Sequence, residues 1–109
     1  IHNADAGDWT TGQCGPASNS SWHGTHVAGT VAAVTNNAKG VAGTAFGAKV
    51  MHVRALGTCG GSTSDIADAI TWASGGTVSG VPTLAASQAA KVINLSLGGS
   101  GACGTTTQN

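Results

Sequence analysis

Two short apolar runs, each preceded by a stretch of helical periodicity, constrain this chain most. In Lys49–Leu56, the residues Val50, Met51, Val53, Ala55 and Leu56 are broken only by His52 and Arg54. Val92–Leu97 is a second such run, closed by Gly98-Gly99. Near-continuous apolar runs of this length suit strands covered on both faces, and His52 reads as a strand residue without a chemical role. Upstream of the first run, Val27, Val31 and Val34 fall at offsets of four and three. That spacing predicts a helix over His23–Val34, with Ser21 or Thr25 able to cap it. Upstream of the second, Thr63–Ser74 reads as a helix capped by Ser62 or Thr63. Asp65 lies in its first turn, and Ile66, Ala69, Ile70 and Ala73 form one stripe. The order helix, strand, helix, strand implies right-handed crossovers and a parallel sheet, an α/β architecture.

Loops fill the remainder. Residues 1–20 carry Gly7, Gly12, Gly15 and Pro16 with no period. Within them Asn3, Asp5 and Asp8 are spaced either as a solvated acidic turn, the commoner arrangement, or as hard oxygen ligands for calcium. Thr35–Gly40 is a turn, with Asn36 and Asn37 suited to left-handed backbone. Gly75–Pro82 is a loop, and Leu84–Ala90 is either a short helix or an irregular insertion.

The length of 109 residues suffices for one small domain. Only 7% of residues are charged and the formal net charge is zero, so no electrostatic footprint for nucleic acid or an anionic membrane exists. No apolar run approaches a membrane span, and no signal-peptide pattern is present. Cys14, Cys59 and Cys103 make an odd count without zinc-like spacing. One internal bridge is expected, with Cys103 pairing outside this stretch.

The chemistry concentrates in Ser21-Trp22-His23-Gly24-Thr25-His26-Val27-Ala28-Gly29-Thr30. His23 falls just before or at the first helical turn, where a side chain can project into a cleft, and Gly24 allows another backbone to approach. Ala28, Gly29, Ala32 and Ala33 make the following helix small enough to pack tightly. The HGTHVAGT wording resembles the histidine motif of the subtilisin-like serine proteases. The resemblance continues, in family order, through Gly40–Ala45, Arg54–Gly57 and Val92–Gly99. It implies a three-layer α/β fold with a mainly parallel sheet, of which 1–109 is a partial catalytic domain, in a secreted, extracellular endopeptidase. It further implies that His23 is the general base of a Ser-His-Asp triad and that His26 is structural.

Peptide cleavage also requires the polypeptide substrate to be held extended, which strand edges provide. The family's matching segments are Gly60-Gly61-Ser62-Thr63 and Ser96-Leu97-Gly98, so Gly61, Ser62, Ser96, Leu97 and Gly98 are the expected groove residues. Gly61 and Gly98 leave room for a backbone. If His23 and Ser62 line one cleft, the loops holding Cys14 and Cys59 come together, which makes those two the expected bridge. The family's frequent use of calcium raises the weight of the calcium reading at Asn3, Asp5 and Asp8.

The orienting carboxylate and the nucleophile are not found here. Asp65 and Asp68 belong to a helix, Asp5 and Asp8 to an irregular loop, and the family uses backbone atoms around Ser96. The chain alone is therefore expected to be inert and to depend on the remainder of the same domain. Three rival readings fit parts of the sequence. The His23/His26 pair could ligate zinc, but the chain contains no Glu to complete a hydrolase zinc pattern. Gly98-Gly99-Ser100-Gly101 could cradle phosphate, but it lacks the Lys-Ser/Thr ending. A catalytically dead relative acting as a peptide-binding module would carry these same segments.

Overall fold

Small residues govern how the chain folds locally in a computed structural model that describes residues 11–57 and 59–108. The chain divides into two units, Ile1–His52 and Val53–Asn109. In the first, α1 spans His23–Ala32 and ends at Ala33, whose backbone leaves the helical region at φ −58° and ψ 139°. The chain then turns through Asn36, Ala38 and Gly40, all at positive φ, and Asn37 Oδ1 accepts from the Lys39 amide at 3.1 Å.

On its return the chain closes the open end of α1. The amides of Thr44 and Ala45 donate to the carbonyls of Thr30 (3.0 Å) and Val31 (2.7 Å), and Gly43 N donates to Ala33 O (3.3 Å). These carbonyls would otherwise lack helical partners. The approach is so close that a Cβ on the buried Gly43 would sit 2.7 Å from Ala32 C and 2.8 Å from Ala32 Cα, with Ala33 N nearer still. Thr35 Oγ1 adds to the closure by donating to Ala33 O and accepting from Gly43 N. This return ends the helix two residues before the expected Val34, which stands 69% exposed instead of extending the Val27–Val31 face.

In the second unit, Gly57 and Gly60 exchange backbone hydrogen bonds of 2.8 and 3.3 Å across a tight turn containing Cys59 at φ 69°. α2 follows over Thr63–Ala73. Ser62 is its cap: Oγ accepts from Asp65 N at 3.1 Å. Its stripe is Ile66, Ala67, Ala69 and Ala73, with Ala73 buried and Ile70 at its exposed margin.

The C-terminus of α2 closes by a Schellman arrangement, in which Gly75 N donates to Trp72 O and Gly76 N to Thr71 O while Gly75 adopts φ +94°. Beyond it, residues 77–89 form a loop folded back on the helix end. Trp72 Nε1 donates to Pro82 O at 2.8 Å, and Ala90 N returns to Ala73 O at 2.8 Å. Of the two alternatives for 84–90, the irregular one is found, with a turn in which Gln88 N donates to Ala85 O. α3, Thr105–Gln108, lies beside α2.

The expected strands are not formed. Among the described residues no strand is present, and the one isolated bridge is Gly57 with Gly60. Val50, Met51, Val53 and Leu56, like Val92, Ile93, Leu95 and Leu97, are exposed, Val92 at 86%. A ladder needs a neighbour for every backbone group, and a parallel sheet needs cover on both faces. The apolar runs meet neither condition here.

Candidate active site

His23 is the first residue of α1, and its side chain is exposed. The residue before it, Trp22, occupies the cap position in the left-handed region, φ 53° and ψ 27°, without a side-chain cap bond. Ser21 supplies a hydroxyl instead: its Oγ accepts from His23 N at 3.3 Å. Ser21 thus serves the helix start from one position further upstream than a cap residue. His26, also exposed, donates from its backbone to Trp22 O at 3.0 Å, closing the first turn, and its carbonyl accepts from Thr30 Oγ1 at 3.1 Å. An exposed imidazole at the mouth of a helix can exchange a proton with a group brought to it. Trp22 was the residue that sequence patterns missed, because no local signal marks a bulky aromatic as left-handed.

Gly61 and Ser62 lead into α2, and both are exposed. A Cβ at Gly61 would collide with Ala55 O and lie 3.0 Å from Leu56 Cδ2. The room made by this glycine is therefore used by the chain's own residue 55. Ser62 spends its hydroxyl on the Asp65 amide and its carbonyl on the Ile66 amide. Ser96, Leu97 and Gly98 are exposed, Gly98 has open space where a Cβ would stand, and Asn94 Nδ2 donates to Ser96 Oγ at 2.9 Å. Cys14 and Cys59 are disulfide-bonded, whereas Cys103 is a free, exposed thiol.

Asn3, Asp5 and Asp8, expected as calcium ligands, lie outside the described residues. Among the described residues no group of three or more His, Cys, Asp or Glu is arranged to hold a metal ion, and no helix is long and apolar enough to cross a membrane.

Comparison with known proteins gives these features a context. Residues 2–109 match the model of the Subtilase family (Peptidase S8). The chain is 70% identical over 110 residues to the "Extracellular protease" of Xanthomonas campestris pv. campestris, covering 97% of this chain and 19% of that protein. It is 51% identical to the "Extracellular basic protease" of Dichelobacter nodosus, over 96% of this chain and 18% of that one. A solved structure of proteases from Pseudoalteromonas arctica superposes with a TM-score of 0.80 at 64% identity, covering 96% of this chain and 30% of the other. The chain thus spans about a fifth of the curated relatives it matches. On the family match across nearly its whole length, the chain belongs to the subtilase family.

Proposed function

We propose that this chain is the part of a secreted subtilase catalytic domain that carries His23 as general base, in a serine endopeptidase acting on polypeptides. The observation that carries the proposal is the HGTHVAGT motif, with His23 at the head of α1, in a chain matched by the family over residues 2–109. In such a reaction the imidazole takes the proton of a serine hydroxyl as the hydroxyl attacks the peptide carbonyl, and then gives it to the leaving amine. A carboxylate that fixes the tautomer, and the serine itself, come from the remainder of the same domain. In the full-length protein His23→Ala lowers kcat by about 10⁴-fold or more, and His26→Ala acts mainly through folding. Turnover that survives His23→Ala, or that a zinc chelator abolishes, refutes the assignment. Peptide binding without any turnover in the unmutated protein identifies a dead binding module instead.

The domain proposed is the three-layer α/β subtilisin-like fold, with residues 49–56 and 92–97 as strands of a mainly parallel sheet once neighbours cover their apolar faces. Gly61, Ser62, Ser96, Leu97 and Gly98 wall the substrate groove. Because Ser62 commits its hydroxyl and carbonyl to α2, pairing on that wall falls to its amide and to the peptide groups of Gly61. Calcium, held by Asn3, Asp5 and Asp8, would be a structural ion. A calcium-dependent rise in the melting temperature of the full-length protein that Asp5→Asn leaves intact removes those ligands from consideration.

A further inference from the structure

We propose that Trp22 is a positioning residue for the histidine and acts through its backbone rather than its indole. The inference rests on His23 being the general base. Four non-glycine residues among those described have positive φ: Trp22, Asn36, Ala38 and Cys59. Asn adopts this region readily, Ala and Cys are small, and Trp22 is the bulky exception. Trp22 as a residue is 45% exposed, so it is not a core side chain whose full burial would offset the strained backbone.

The turn is pinned from both sides. Trp has no acceptor with which to cap a helix, and the capping task is divided between its neighbours. Ser21 Oγ holds the amide of His23 at 3.3 Å, and Trp22 O takes the amide of His26 at 3.0 Å. These two bonds bracket His23, one holding it from upstream and the other closing the first turn over it. A cap residue in the usual extended conformation would turn the incoming chain another way and carry the Ser21 hydroxyl off the His23 amide. Strain that the surroundings hold in place and burial does not offset is found where a site needs pre-organisation. Here it lies next to the imidazole that must meet its partners.

A substitution series in the full-length protein separates backbone from side chain. Trp22→Gly and Trp22→Asn tolerate left-handed backbone, Trp22→Ala less so, and Trp22→Val, being β-branched, least. Gly and Asn are expected to keep kcat within about threefold of the parent, and Val to lower it by about ten- to a hundredfold with KM little changed, the scale of a small misplacement of a reacting group. Rescue by Gly, which deletes the whole indole, is a result that a packing role would not give. Equal loss in all variants assigns the effect to the indole and overturns the proposal, as does equal retention including Val. Should Val fail to fold by circular dichroism, Ala against Gly decides: loss with Ala alone supports the proposal, and equality overturns it. His23→Ala is assayed alongside. If it is inactive while the Trp22 series is flat, this inference alone fails, whereas an active His23→Ala defeats the general-base reading and this inference with it.

Discussion

Replacing Gly43 by Ala tests the closure of α1 directly. The added methyl would stand 2.7 Å from Ala32 C and 2.8 Å from Ala32 Cα. Those neighbours are backbone atoms that cannot swing aside as a side chain would. Relief requires the returning chain to retreat, which stretches the bonds from Gly43, Thr44 and Ala45 to Ala33, Thr30 and Val31. Overpacking of this kind costs about 1–3 kcal/mol, and each weakened hydrogen bond adds up to about 1 kcal/mol. A total loss of about 1–6 kcal/mol follows. The assay is urea denaturation of the full-length protein in a His23→Ala background, which prevents self-digestion. Gly29→Ala is the internal control. It lies within α1 with nothing near its would-be Cβ, so it is expected to stabilise by about 0.5–1 kcal/mol. A Gly43→Ala protein within about 0.5 kcal/mol of its parent, the range of neutral surface changes, would refute the reasoning.

Ser62→Ala removes the cap of α2 and is expected to cost about 1 kcal/mol in the same denaturation assay. Because the hydroxyl faces the helix rather than a substrate, KM should change little, and a large KM effect without a stability effect would reverse that assignment. Non-reducing peptide mapping should recover Cys14 joined to Cys59, and a Cys14–Cys103 peptide would contradict the pairing. Closing a loop of about 45 residues, that bridge is worth up to about 4 kcal/mol on the chain-entropy model. Its reduction is expected to raise KM more than it lowers kcat.

Local signals made α2 legible. Ser62 before the first turn, Asp65 within it and the alanine stripe are all short-range features, and the helix was expected to within a residue of its observed end. The start of α1 at His23 was equally legible. Its end was not, because residues 43–45, distant in sequence, decide where its carbonyls find partners. The cap at Trp22 escaped because composition favoured Ser21 or Thr25, and a left-handed aromatic has no sequence signature. Apolar runs at 49–56 and 92–97 show which segments would be buried in a sheet, but a strand is a property of a pair, and the residue pattern of one member cannot supply the other. At the candidate site, the motif singled out His23 as the expected base, whereas the use of Gly61's space by residue 55 depends on a turn geometry that sequence leaves open.

The loop beyond α2 leaves from and returns to a single residue: Ala73 ends the helix, and its carbonyl receives the amide of Ala90. Entry and exit are thereby fixed independently of what lies between them, so the excursion is free to vary in length. Doubling it should cost only about 0.6 kcal/mol in closure entropy, provided the Trp72–Pro82 bond is kept. The tip at Ser79-Gly80, exposed and turned at φ +78°, is therefore the place where a tag or epitope can be spliced in. A urea denaturation midpoint lowered by no more than about 0.2–0.6 M after such an insertion is the expected result, and the run toward Val92–Leu97 would begin from the same point whatever the lobe contains.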